Sequence, residues 1–169
     1  MRTFSIGAMA VLALLLTACD RGPDNSEQAE PRSLAEIRES GKLIVLTRNA
    51  PTTWYIGRDG EPTGPEYELA TAFADHLGVE AEFRQRAGIT QILNSLEAGE
   101  GDLAAAGLTA TDDRRKRFRF GPGYQHVTQQ VVCRRDNVQP ESVEDLVGVD
   151  LHVAADSSYV ERLKALRAD

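Results

Sequence analysis

The turn that follows an apolar run near the middle of the chain carries residue types that bind carboxylates. It begins at Gly107 and includes Thr109 and Arg114, with small residues, hydroxyls and acids between them. The backbone N–H groups of such a turn can donate to an anion, and an arginine adds a planar guanidinium that binds a carboxylate through two parallel hydrogen bonds. This spacing predicts a site for a small anionic or zwitterionic ligand rather than a catalytic centre.

Arg114 also opens a basic run that extends through Arg117 to Arg119 and looks locally like a nucleic-acid-binding patch. The whole chain carries a net charge of −7, which argues against nucleic acid or an anionic membrane surface as its main partner. We therefore predict that the run is a solvated helix face with one arginine turned inward.

The N-terminus reads as a secretory signal. The mostly apolar run from Phe4 to Leu16 is too short to span a bilayer as a stable helix. Leu16-Thr17-Ala18-Cys19 is similar to a bacterial lipobox, which predicts removal of residues 1–18 and lipidation of Cys19 on the periplasmic side of a bacterial membrane. An ordinary signal with an incidental cysteine is the alternative. Asp20 resembles an inner-membrane retention signal of some bacteria, so the choice of membrane stays open.

The remaining chain has the size and composition of about one globular domain, with 169 residues in all and 41% hydrophobic residues. Residues 19–32 are polar and predict a flexible tether. Order is expected to begin at Ser33, which fits a capping box with Glu36. Cys133 lies in an apolar stretch and lacks a disulfide partner if Cys19 is lipidated, so it is interpreted as a packed strand residue.

Apolar patterning then alternates between strands and amphipathic helices. The predicted strands are 42–47, 79–84 and 103–106, and the predicted helices are 66–77 and a segment from Ile89 to Leu96. The face predicted to be buried on the first of these helices comprises Leu69, Ala70, Phe73, Ala74 and Leu77. This order is typical of an α/β fold with a parallel sheet flanked by helices.

Ligands of such sheets bind at the carboxyl ends of the strands. The site is therefore expected at residues 48–55, at 106–111 and at the helical turn that carries Arg114. The first of these places is far from the other two in the sequence, and all three are adjacent in the predicted fold.

A second α/β unit is predicted after about Arg134. It would contain an extended segment from 124 to 134, a helical turn at 142–146, a strand at 151–154 and a helix at 159–166 capped by Ser157. These strands are too few to close a core. The chain is therefore interpreted as a nearly complete first lobe, 33–134, and a truncated second lobe, 135–169.

The stretch from Gly101 to Arg114, followed by Phe120-Gly121-Pro122-Gly123-Tyr124, resembles family 3 extracellular solute-binding proteins. These are two-lobed amino-acid receptors with a periplasmic-binding-protein fold. The loop Thr47 to Tyr55, with Gly64-Pro65-Glu66-Tyr67, is similar to the N-terminal module of the transglycosylase F family of membrane-bound lytic murein enzymes. In that family a binding module precedes a lysozyme-like catalytic domain and is thought to regulate it.

The resemblance implies roles for four residues of the first lobe. Arg114 would pair with the α-carboxylate of the ligand, and Thr109 would contact the carboxylate or the amine. Ala106 and Gly107 would contact the ligand largely through their backbone, and because many relatives carry serine there, some side-chain contacts would be lost.

The resemblance also implies an aromatic wall from Trp54 or Tyr55, for which a core aromatic is the alternative. Ser157 and Ser158 would supply a hydroxyl pair from the second lobe. Asp156 stands where relatives usually carry glycine, and the acidic residue that holds the ligand ammonium would lie beyond Asp169.

Signals for catalysis are weak, and the sequence predicts no cofactor and no metal. The histidines His76, His126 and His152 lack ligand spacing. Three hypotheses remain open: a transglycosylase module that binds an amino acid or muropeptide and is cut before its catalytic domain; an amino-acid-binding lipoprotein of an ABC importer; and an enzyme on this fold, such as a periplasmic dehydratase. The third needs acid and base groups in the cleft, for which Glu66 and Asp156 are candidates.

Overall fold

The computed structural model describes residues 30–137, 139–155 and 157–168. The predicted signal peptide, Cys19 and Asp156 lie outside these residues, so the predictions made for them stay predictions. Among the described residues, no helix combines the length and apolar character needed to span a bilayer.

The regular elements in chain order are α1 (Leu34–Ser40), β1 (Lys42–Thr47), β2 (Tyr55–Ile56), β3 (Pro62–Thr63), α2 (Pro65–Leu77), β4 (Glu80–Gln85), α3 (Ile89–Glu97), β5 (Leu103–Ala104), α4 (Asp112–Arg117), a 3-10 turn (Glu144–Leu146) and α5 (Ser158–Ala168). Strand β1 lies between β4 and β5, and it is parallel to both. Strands β2 and β3 form a separate antiparallel pair. The predicted parallel sheet is confirmed.

Strand β1 is covered by side chains on both faces of the sheet, and both of its faces are apolar. Leu43 and Val45 pack with Ile37 of α1 and with Ala70 and Ala74 of α2 on one side of the sheet. Leu46 packs on the other side. A parallel strand that is covered on both faces carries apolar side chains in succession, which explains the continuous apolar run in the sequence of β1.

Another cluster covers the opposite face of the sheet. Leu46, Ile92 of α3 and Ala106 are each fully buried there. Gly101 lies against this cluster, because a Cβ at its position would approach Leu46 Cγ to 2.5 Å. The close approach of backbone to Leu46 explains glycine at a position where no unusual backbone angle requires it.

The helix ends follow their sequence signals. Ser33 accepts a hydrogen bond from Glu36 N and completes the predicted capping box, and Gly41 ends α1 in the left-handed conformation. Helix α2 begins at Pro65 and ends at Gly78, also left-handed. Gly64, with φ of 132°, precedes α2 and lies directly against the backbone of Thr53.

The predicted buried face of α2 was partly wrong. Ala70 and Ala74 are buried as expected, but Leu69 and Phe73 are 52% and 44% exposed. The buried turn begins instead with Glu66. Tyr67 and Thr71, on the other side of the two alanines, are half-buried, and Tyr67 packs against Phe83 of β4. The buried face is therefore rotated away from Leu69 and Phe73.

Arg32, which was assigned to the tether, belongs to the fold. Its guanidinium pairs with Asp102 and also donates to Lys42 O at 3.1 Å. Asp102, only 4% exposed at its side chain, accepts a further hydrogen bond from Ile44 N at 2.7 Å. The chain is therefore fixed to the sheet one residue before the helix cap.

The second unit is less regular than predicted. The strand expected at 151–154 is absent, and residues 121–134 form no ladder with any described strand. A strand needs a neighbour to pair its backbone groups, and the described residues offer none here. The helical turn at Glu144–Leu146 and the last helix are present.

Candidate ligand-binding site

Two loops meet at the carboxyl edge of the sheet, where the sequence placed the site. The first follows β1 and the second follows β5. Arg48 Nε donates to Ala106 O at 3.1 Å and joins them. Thr53, fully buried, donates from its hydroxyl to Arg48 O at 2.7 Å. The first loop is thus folded around a buried hydroxyl and holds the arginine in place.

The turn predicted to face the ligand is open to solvent. Ala106 is buried, whereas Gly107 and Thr109 are exposed, and Gly107 adopts a left-handed φ of 67°. A side chain at Gly107 would be strained there. The backbone N–H of Gly107 donates to Glu66 Oε2 at 2.7 Å, so this expected anion donor already serves a carboxylate of the protein.

Glu66 is a buried carboxylate with two described donors. Its residue surface is 5% exposed, and its second oxygen accepts a hydrogen bond from the Tyr124 hydroxyl. Desolvation and the hydrogen bond to Glu66 raise the pKa of Tyr124 above its ordinary value of 10.0. The Glu66 carboxylate joins α2, the Gly107 turn and the segment after α4, and it therefore positions these three parts of the chain. Engagement of both oxygens within the protein does not support a role for Glu66 as a catalytic base.

We expect Tyr124→Phe to abolish the latest step in the ultraviolet titration of tyrosinate. Four tyrosines are present, and the pKa of Tyr124 is raised. A raised folded-state pKa means that the contact contributes its full stability below pH 10.0 and loses it as the pH rises through the raised value. Tyr159→Phe is the matched control. A late step that persists in Tyr124→Phe would contradict the assignment.

Arg114 is turned inward from the basic helix, as predicted. Thr111 caps α4 by accepting from Arg114 N, and the Arg114 residue is 6% exposed while Arg115, Lys116 and Arg117 are exposed. The guanidinium donates through Nη1 to Thr109 O at 3.4 Å. Its Nη2 lies 3.1 Å from Glu161 Oε1 of α5.

One member of the expected second-lobe hydroxyl pair reaches the first lobe. Ser158 Oγ donates to Thr109 Oγ1 at 3.1 Å, across 49 residues of sequence. Ser157 Oγ donates instead to Ala154 O at 2.7 Å. Among the described residues, no backbone N–H of α5 donates to the Ser157 hydroxyl. The predicted side-chain cap of this helix is therefore not formed.

Trp54 and Tyr55 lie on the first loop at the same edge, and both are half-buried. Trp54 forms an isolated bridge with Asn49, and Tyr55 begins β2 opposite Thr63. The aromatic wall from these residues stays a prediction.

The site combines two guanidiniums, from Arg48 and Arg114, with two carboxylates, from Glu66 and Glu161. Sequence reasoning did not name Arg48 as an individual site residue, although it directly follows the first strand. It also missed Glu161, which lies one helical turn after Ser158 and therefore on the same helix face. Among the described residues, no cluster of histidine, cysteine and acidic side chains could hold a metal ion.

The chain resembles a known protein family over most of its length. A family model described as bacterial extracellular solute-binding proteins, family 3, matches residues 42–165. The chain belongs to this family. The match covers every residue of the site described above, and it agrees with the resemblance drawn from the Gly107–Arg114 turn.

A sequence relative of this chain is considerably longer. The membrane-bound lytic murein transglycosylase F 2 of Alkalilimnicola ehrlichii is 47% identical over 167 residues, which cover 98% of this chain and 36% of that protein. The chain thus spans about a third of the length of this relative.

Solved structures confirm the predicted fold class. A point mutant of arginine-bound ArgBP from T. maritima matches with a TM-score of 0.60 and 29% identity, over 69% of this chain and 55% of the other. A point mutant of the arginine-bound form of domain 1 of TmArgBP matches with a TM-score of 0.52 and 26% identity, over 55% of this chain and 72% of the other. The likeness extends over much of a single isolated domain.

Proposed function

We propose that this chain is a solute-binding module that holds an amino acid or cell-wall peptide by its α-carboxylate. Arg114 supplies the guanidinium, Thr109 a hydroxyl, and the loop of Trp54 and Tyr55 an aromatic wall. Ala106 and Gly107 line the turn with backbone, and Ser157 and Ser158 approach from the second lobe.

The observation that carries the proposal is the placement of Arg114. Its guanidinium is almost fully buried, and it lies beside an exposed turn at the carboxyl edge of a parallel sheet. A buried arginine is screened less by water than one on the surface, so its hydrogen bonds to a carboxylate are stronger. Arg115, Lys116 and Arg117 point to solvent and lack this property.

We further propose that the module regulates a murein-degrading lytic transglycosylase with its catalytic domain in cis. The support is the name of the relative from Alkalilimnicola ehrlichii and its greater length. The membrane would be reached through a lipid on Cys19, with the module on the periplasmic side. In this role the ligand is a peptide released from the cell wall.

An amino-acid-binding lipoprotein of an ABC importer is the alternative. Both solved neighbours are arginine-bound proteins, which favours a free amino acid as the ligand. The two functions differ in ligand size, and this difference makes them separable by titration.

Titration with paired probes tests the proposal. The single tryptophan, Trp54, is a fluorescence reporter at the site, and calorimetry gives an independent affinity. L-Arginine is compared with its decarboxylated analogue agmatine, and a murein tetrapeptide with its C-terminal amide. We expect binding of at least one free carboxylate and loss of binding when that carboxylate is removed or amidated. Equal binding of both members of a pair, or of none of the four probes, would refute the carboxylate site.

A further inference from the structure

The guanidinium proposed to bind the ligand carboxylate is contacted by a carboxylate of the chain itself. Glu161 Oε1 lies 3.1 Å from Arg114 Nη2. On the same face of α5, Ser158 donates to the Thr109 hydroxyl at 3.1 Å. Two residues of one helix therefore engage the two first-lobe side chains assigned to the ligand.

The chemistry of the contact matches that of the proposed ligand. The side chain of glutamate ends in the same planar, singly charged group as an amino acid α-carboxylate, and arginine binds both through the same N–H groups. Arg114 keeps only 7% of its side-chain surface exposed, whereas Glu161 keeps 32%. The guanidinium is thus covered in part by a side chain that reaches it from the solvent side.

The contact leaves Glu161 incompletely satisfied. Its second oxygen, Oε2, is buried and has no hydrogen-bond partner among the described residues. A buried acceptor without a donor reduces the net stability of the contact. A ligand carboxylate that finds donors for both oxygens can therefore displace Glu161 at moderate cost.

We propose that Glu161 is an internal competitor that occupies Arg114 when no ligand is bound. This inference rests on the proposed function, because it assigns a regulator to the same guanidinium. Binding of the ligand carboxylate releases Glu161 and frees the first turn of α5 from Thr109 and Arg114. The apparent affinity equals the intrinsic affinity multiplied by the fraction of molecules in which Arg114 is available to the ligand.

Glu161→Gln tests the inference because it keeps the size of the side chain and removes its charge. With L-arginine and the murein tetrapeptide as probes, we expect about fivefold tighter binding, the change that corresponds to about 1 kcal/mol. The matched control is Glu144→Gln, which removes the same charge from an exposed residue of the 3-10 turn. Unchanged or weaker binding in Glu161→Gln, or an equal gain in Glu144→Gln, would overturn the competition.

A second measurement separates this inference from the proposed function. Amide hydrogen exchange of the ligand-free protein should be faster in residues 158–168 of Glu161→Gln than in wild type, because α5 has lost its ion pair to Arg114. Unchanged exchange there refutes the ion pair as a restraint on α5, whether or not a ligand is known. Faster exchange without binding of any probe refutes the proposed function, and the competitive role with it, while the restraint itself stands.

Discussion

Arg114→Ala is expected to weaken binding of a carboxylate probe at least about 30-fold. Truncating one partner of a buried, hydrogen-bonded charge pair costs about 2–5 kcal/mol, and each 1.4 kcal/mol is about tenfold in affinity. The fold should be retained, because the hydrogen bond from the residue's backbone N–H to Thr111 and the hydrogen bonds of α4 do not involve the side chain. Calorimetry measures the affinity, and circular dichroism checks the fold.

Arg115→Ala is the matched control, because it removes the same charge from the next residue on the exposed face of α4. Its affinity should stay near the wild-type value. Arg114→Lys should bind more weakly than wild type despite its charge, because an ammonium lacks the planar fork. Wild-type affinity in Arg114→Ala would refute the proposed site. Equal losses of affinity in Arg114→Ala and Arg115→Ala would indicate a general charge effect instead.

Gly64→Ala is expected to cost about 3 kcal/mol or more of folding free energy. A Cβ at this position would lie 2.4 Å from Thr53 O, which is backbone and cannot swing away, and the φ of 132° is itself unfavourable for alanine. Backbone strain and overpacking each cost about 1–3 kcal/mol. Thr53 O also accepts a hydrogen bond from Tyr67 N at 3.1 Å, so its displacement disturbs the start of α2.

Two other glycines separate the two causes. Gly60 has φ of 85° with nothing within 4 Å of a new Cβ, so Gly60→Ala tests backbone strain alone. Gly101 has no positive φ but meets Leu46, so Gly101→Ala tests crowding alone. Urea denaturation gives the free energy of unfolding of each of the three variants, provided that its dependence on urea concentration has the same slope in all of them. A loss at Gly64 no larger than at Gly60 would show that the contact with Thr53 yields easily.

The sheet and its helices could be predicted because each has a local signal. Strand β1 is a short apolar run, α1 carries a capping box, and Gly41 and Gly78 end their helices. The exact direction of the buried face of α2 could not be predicted, because Ala70 and Ala74 fit a face that extends to either side of them. The sheet covers the side with Tyr67, which packs against Phe83, and leaves Leu69 and Phe73 exposed.

The candidate site lies where topology predicts it, at the carboxyl edge of the parallel sheet. The inward position of Arg114 agrees with expectation, and the ligand-binding roles of the site residues stay predictions. The contact of Glu66 with Gly107 N and that of Glu161 with Arg114 depend on how distant elements pack. A single sequence holds no local signal for such pairs, and the strand predicted at 151–154 failed for a related reason, since strand formation depends on a pairing partner.

The ion pair between Arg32 and Asp102 fixes the start of the folded domain at the edge of the sheet opposite the candidate site. Both residues lie at the amino edge of the sheet, beside the first residues of β1, whereas Arg48 and Gly107 lie at the carboxyl edge. Six residues of β1 separate the two edges by about 20 Å at the usual rise of a strand. If the chain is held at a membrane through its N-terminus, as proposed, the tether joins the domain at the end opposite the candidate site and therefore does not cover the ligand.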